Sequence, residues 1–226
     1  MNTEIIEIQY QNKTAEMRAI SEQDLMYLRW VNEGMFYEHR LLGEIEKLNL
    51  VGSYLDVGAN LGNHSVYFGM FCPATSLYCV EMHPKIIEVL KMNLLQNIGT
   101  RIPTTIFETA VIDHEGQTHM HGYSLRNPGA TSLREDGNAG PTSLTTLDKL
   151  MDGVDDVAFI KIDVEGVEFE VIEGARETIK RNRPAMAIEV INGVEKFNLL
   201  MKSLGYTTDG VNYAHTPTYL YLPDTK

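Results

Sequence analysis

This 226-residue chain is poor in cysteine and in basic charge. Its two cysteines, Cys72 and Cys79, have a spacing that suits no common zinc motif, and nothing else suggests a disulfide framework, so both are read as reduced. Nineteen Lys and Arg stand against 31 Asp and Glu, a formal net charge of −12. No run of cations forms a stripe able to neutralise a phosphate backbone, so no nucleic-acid partner is expected. Long apolar runs are also missing, and the N-terminus lacks a basic segment followed by an apolar core. A cytoplasmic location without a membrane span is the expectation. Repeats and low-complexity tracts are absent, and the composition leaves the oligomeric state open.

What is present is the make-up of an ordinary globular chain, 43% hydrophobic and 22% charged, long enough to bury one full core. Two alternating segments between Glu4 and Ile20, around Gln11-Asn12-Lys13-Thr14, predict a β-hairpin. Ser21, with Asp24 three residues on, is a candidate N-cap for a helix carrying Leu25, Leu28, Trp30 and Val31, and Phe36–Leu48 reads as a second helix. Beyond Gly52, apolar strands are predicted at Tyr54–Val57, Leu77–Val80, Thr105–Phe107, Ala158–Ile162 and Met186–Val190. Helices fit between them at His64–Met70, Lys85–Asn97, Glu168–Lys180 and Val194–Leu204. This alternation is the signature of an α/β fold with a doubly wound, mainly parallel sheet. Tyr206–Thr208 and Tyr219–Leu222, with the turn Asp209-Gly210 between them, would close its edge as an antiparallel hairpin. Residues 1–50 are thus expected to pack as an extension on a domain spanning residues 51–226. Gly122–Thr142, rich in glycine, interrupts the alternation and reads as a long loop.

Three motifs fall at the expected C-terminal edge of the sheet, where such folds bind ligands. The first is Asp56-Val57-Gly58-Ala59-Asn60-Leu61-Gly62, between a strand and a helix. Its glycines permit close backbone approach, and the helix N-terminus offers N–H groups to a carboxylate. Asp56 can accept hydrogen bonds from an amine. S-adenosylmethionine carries both groups, so Asp56, Gly58, Ala59, Asn60 and Gly62 are candidate cofactor residues. A dinucleotide fits less well, because Asn60 stands where a Rossmann fingerprint has its second glycine. The second motif is Glu81, just after the next strand, placed to hold ribose hydroxyls; its bland reading is a solvent-facing helix cap.

The third motif is Lys161-Ile162-Asp163-Val164-Glu165-Gly166. Strand alternation points Lys161 away from Ile160 and Ile162. Lys161, Asp163 and Glu165 are candidate catalytic residues, with Asp163 also able to hold the cofactor's ammonium. Glu165 can instead cap the helix near Glu168. Asp163, Glu165 and Glu189 could together ligate a divalent cation, but scattered carboxylates at strand ends are common, and no metal is expected. His119 and His121, facing one way on a strand, have no evident third ligand. His64, His83, Tyr37 and Glu38 are candidate pocket residues, and Arg126 and Arg134 candidate contacts for an anionic acceptor.

Taken together, the Asp56–Gly62 turn, Glu81-Met82-His83-Pro84, Asn93–Asn97, Thr146-Leu147-Asp148, Lys161–Gly166 with Glu168, and the upstream Phe36-Tyr37-Glu38 resemble the FkbM family of methyltransferases over most of the chain. Met82 departs from the Glu-Pro pairing typical of that family. The resemblance implies a class I S-adenosylmethionine-dependent fold and methyl transfer to an oxygen of a small molecule or glycan, without naming the acceptor. In-line attack by an acceptor hydroxyl would give a methyl ether, with positioning as the main source of acceleration. A nucleic-acid methyltransferase, a nicotinamide-dependent oxidoreductase and a non-catalytic cofactor-binding protein are the rival readings.

Overall fold

A computed structural model describes residues 5–20, 25–122, 132–134 and 141–224. The candidate cap Ser21 with Asp24, and Arg126 with the Arg134 side chain, lie outside the described residues. Strands β1 (Ile5–Tyr10) and β2 (Lys13–Arg18) form the expected hairpin, followed by helices α1 (Leu25–Glu33) and α2 (His39–Leu48). Then come β3 (Gly52–Val57), α3 (Asn63–Phe71), β4 (Ala74–Glu81), α4 (Pro84–Asn97) and β5 (Thr104–Glu108). Short strands β6 (Ala110–Val111), β7 (Gly116–His121), β8 (Ser132–Arg134) and β9 (Pro141–Thr145) precede α5 (Leu147–Leu150). The chain continues through β10 (Val157–Ile162), α6 (Glu168–Glu173), α7 (Arg176–Asn182), β11 (Ala185–Glu189), α8 (Val194–Ser203), β12 (Tyr206–Thr207) and β13 (Thr218–Pro223).

Seven strands make the central sheet in the order β12-β13-β11-β10-β3-β4-β5. Strands β11, β10, β3, β4 and β5 pair in parallel; β13 is inserted antiparallel between β11 and β12. A dinucleotide-binding sheet runs 3-2-1-4-5-6 without that insertion. All six residues of β3 are buried, as expected for a central strand covered on both faces. Alternate side chains feed two cores. Tyr54, Cys79, Phe159 and Ala187 face α3, α4 and the N-terminal segment, which contributes Ile8, Met17, Trp30, Phe36, Leu41 and Ile45. Leu55, Val80, Ile160 and Ile188 face the layer holding Leu147, Val171, Ile179 and Phe197.

The hairpin is held by amides as well as by its apolar face. On α4, Asn93 and Asn97 stand one turn apart. Asn93 Oδ1 accepts the Arg18 N–H at 2.8 Å and its Nδ2 donates to Arg18 O at 2.9 Å; Asn97 does the same for Glu16 at 2.7 and 2.9 Å.

Three expectations need correction. The helix read from Phe36 begins only at His39, because Glu38 takes a left-handed backbone (φ 56°). The helix read over Glu168–Lys180 is two helices: Gly174 comes so near residue 112 that an added Cβ would stand 2.0 Å from Ile112 O, and Asp148 caps the restart by accepting the Glu177 and Thr178 N–H groups. The interval read as a loop borders a second, four-stranded sheet, β6-β9-β7-β8, to which Ser132–Arg134 and Pro141–Thr145 belong. No helix among the described residues is long and apolar enough to cross a membrane.

Candidate active site

Chain order reverses between β3 and β10, the switch point of the sheet, and a cleft of about 320 Å³ opens there. Beyond β3, Gly58, Asn60 and Gly62 all have positive φ, at 79°, 48° and 87°. Gly58 and Ala59 both donate their N–H to Val80 O at 3.0 Å. A Cβ on Gly58 would lie 1.8 Å from Asp163 O, so this glycine is demanded by the approach of the β10 end. Gly62 caps α3 beneath Leu90 and is not part of the cleft wall, whereas Gly58, Ala59 and Asn60 are.

Glu81 is buried, not a solvent-facing cap. Its Oε2 accepts the Asn60 N–H at 2.9 Å, and its Oε1 accepts the Met82 and His83 N–H groups at 2.8 and 2.9 Å. One carboxylate thereby ties two strand-to-helix turns together. Burial raises its affinity for a proton, while the three N–H donors act the other way. Asp56 is buried behind the loop. Its Oδ2 accepts from the Ser65 hydroxyl at 2.5 Å, but buried Oδ1, like Asn60 Oδ1, finds no partner among the described residues. A buried carboxylate oxygen without a donor is costly, and a ligand's ammonium would remove that cost.

The lining contributed at the ends of β10 and β11 is acidic. Lys161, only 1% exposed, donates from Nζ to Asp163 Oδ2 at 2.8 Å. Burial disfavours its charge, but Asp163, Asp56 and Glu38 outweigh this and raise its proton affinity. For Asp163 burial acts upward, yet Lys161 and a hydrogen bond with Glu189 hold it down at about 2. Glu189, buried at the end of β11, is pushed up to about 9 by burial and by Asp163. The pair therefore holds one proton between them. Glu165 follows the end of β10 in a left-handed conformation (φ 54°), and burial together with Asp163 and Glu168 pushes it to about 7. Asp163, Glu165 and Glu189 bring carboxylate oxygens within 4.8 Å of one another although β10 has ended. Glu165 does not cap the next helix; the side chain that folds back is Glu168, which accepts the Gly166 N–H at 2.7 Å.

Sequence reasoning placed Tyr37, Glu38 and His64 near the pocket but not their connections. Glu38 Oε2 lies 2.9 Å from His64 Nε2, both side chains almost wholly buried. Asn63, at the start of α3, fastens this corner: Oδ1 accepts from Trp30 Nε1 and from the Tyr37 N–H, each at 2.9 Å, and Nδ2 donates to Tyr37 O at 3.0 Å. At the cleft mouth Arg29 Nη1 lies 2.7 Å from His215 Nε2 and its guanidinium 5.1 Å from the Tyr37 ring centre; Tyr37 and His215 stack at 6.1 Å and 11°. His215, remote in sequence and in an irregular segment, carried no local signal. The opposite wall is apolar, from Val80, Met82, Ala110, Val111, Leu133 and Val167. His119 and His121 do not line the cleft.

Residues 56–208 match the Methyltransferase FkbM domain. The 2-O-methyltransferase NoeI of Sinorhizobium fredii is 28% identical over 148 residues, 57% of this chain and 59% of that protein. The crystal structure of a methyltransferase FkbM from Methylobacillus flagellatus KT superposes with a TM-score of 0.53 at 19% identity, covering 76% of this chain and 43% of that one. The chain thus spans about three fifths of its curated relative and less than half of the solved one. The shared architecture is the class I methyltransferase fold.

Proposed function

Since the chain belongs to the FkbM methyltransferase domain family, we propose that it is an S-adenosylmethionine-dependent methyltransferase acting on a hydroxyl oxygen of a small molecule or glycan. The observation that carries this reading is one cleft in which a buried Asp56 oxygen, unpartnered among the described residues, stands behind the glycine turn and three convergent carboxyls join the lining.

The residues fit the cofactor. Asp56 and Asp163 would hold the ammonium, the N-terminal turn of α3 the carboxylate, Glu81 the ribose hydroxyls, and the wall of Met82, Ala110 and Leu133 the base. When bound, S-adenosylmethionine supplies an electrophilic methyl on a sulfonium sulfur. The protein's own part is to align the acceptor and take up its proton. Glu165, near 7, is the base, because Asp163 and Glu189 already share a proton and Asp163 is also engaged by Lys161. Lys161 acts as a positioning residue that keeps Asp163 ionised. The name of the Sinorhizobium relative, a 2-O-methyltransferase, supports oxygen as the methyl acceptor. The net charge of −12 gives no support to a nucleic-acid acceptor.

Calorimetric titration with S-adenosylhomocysteine tests the reading, with NADH as the competing ligand class and Asp56→Ala as the local control. Saturable binding lost in the variant is the expected result. Binding of NADH without S-adenosylhomocysteine overturns it.

A further inference from the structure

The family domain ends before the cleft does. Arg29, Tyr37 and His215 lie outside the matched residues 56–208, yet all three line the cleft. They come from α1, from the segment before α2, and from the connection between β12 and β13, and they meet over the mouth. The cofactor-side wall, in contrast, comes from inside the matched region. From this division we propose that Arg29, Tyr37 and His215 form the acceptor subsite, and that the acceptor they admit is an uncharged ring bearing adjacent hydroxyls. The proposal rests on the methyltransferase reading above.

Charge and shape carry the argument. The same cleft holds Asp163, Glu165 and Glu189, whose oxygens converge within 4.8 Å. Hydroxyls of one ring can donate to such a group, and adjacent hydroxyls can do so at two oxygens together. The negative charge that Asp163 and Glu165 keep, although Glu189 and Asp163 share a proton, disfavours a phosphate or carboxylate beside them. Arg29 does not reverse this, since its guanidinium is shared between Glu33 at 3.4 Å and His215 at 2.7 Å and lies against the Tyr37 ring. The stacked, half-buried Tyr37 and exposed His215 offer flat surface to a ring, with the aliphatic part of Met26 beside them. A sugar presents such hydroxyls on a saturated ring and a catechol on an aromatic one, so the two are separate arms of the test.

With the protein saturated by S-adenosylhomocysteine, ligand-observed NMR titrations would use a methyl hexopyranoside, catechol and a hexose phosphate. The expected result is binding of one uncharged probe, with the phosphate weaker by about tenfold or more. His215→Ala and Tyr37→Leu should each weaken that probe by about tenfold while S-adenosylhomocysteine affinity stays within about twofold. His215 is exposed, so its variant tests the subsite without burdening the core. The proposal is overturned if the phosphate binds as tightly, if neither uncharged ring binds, or if both variants bind it like the parent. Failure of S-adenosylhomocysteine to bind the parent protein removes the methyltransferase reading itself, whereas its binding without a ring removes only the acceptor assignment.

Discussion

Lys161 in β10 and Asp163 just beyond its end meet at 2.8 Å, where the Asp163 N–H continues the ladder to Val57 O at 2.9 Å. Their contact keeps a buried ammonium beside the glycine turn. Lys161, almost wholly buried, depends on this contact together with the charges of Asp56 and Glu38, because an uncompensated buried ammonium is costly.

Lys161→Met keeps most of the length of the side chain and removes the charge. The variant should lose about 3 kcal/mol of stability in urea unfolding, and a concurrent Asp163→Asn should recover part of that loss. Additive losses in the double variant would show that the two side chains do not act as a unit.

The acid pair sets a pH dependence of stability. Glu189 is raised to about 9 in the folded chain, so its contribution is complete below the ordinary glutamate value and is lost as pH rises through about 9. Asp163 is depressed to about 2, so its contribution is present above the ordinary aspartate value and is lost as pH falls through about 2. Glu189→Gln should therefore flatten the decline of melting temperature between about pH 5 and 9 and leave the acid limb in place. An unchanged alkaline slope would mean that Glu189 does not hold the proton.

Two glycines with positive φ should respond differently to alanine. At Gly58 (φ 79°) the new Cβ would meet Asp163 O at 1.8 Å; at Gly166 (φ 102°) no atom lies within 4 Å. Gly166→Ala should cost about 1–2 kcal/mol of backbone strain alone, whereas Gly58→Ala should cost roughly 3 kcal/mol or more and part the ends of β3 and β10. Thermal denaturation of the two variants compares them directly.

Glu38 is a non-glycine residue with φ 56° whose side chain meets His64. Glu38→Ala and Glu38→Gly both lose that contact, but only glycine relaxes the backbone. The glycine variant should be the more stable by about 1 kcal/mol. The reverse order in chemical denaturation would show that the backbone there is unstrained.

The sheet, its helices and the two principal turns were legible because each rests on a local pattern. Strand β10 announces itself through Phe159, Ile160 and Ile162, and its end through Asp163 and Glu165. What escaped depends on contacts between distant segments. The break at Gly174 answers to the passing backbone of Ile112, and nothing around residue 174 reports that neighbour. The left-handed turn at Glu38 goes with His64 and Asn63 on another helix. His215 reaches the cleft through a segment without periodicity, where sequence reading has no lever. In the sequence Glu189 stands out only as one of three carboxylates able to ligate a cation, and its nearness to Asp163, which lets the pair share a proton, shows only in the structure.

Strand β2 pairs with β1 along one edge, and a two-stranded ribbon ordinarily leaves its other edge free to recruit a strand from another molecule. Asn93 and Asn97 occupy that edge, each engaging both polar groups of one residue as a neighbouring strand would. Two side chains thus make α4 a blunt end for the ribbon. Replacing them with leucine would keep the helix but open Glu16 and Arg18 to strand addition, turning a docking device into a site of self-association.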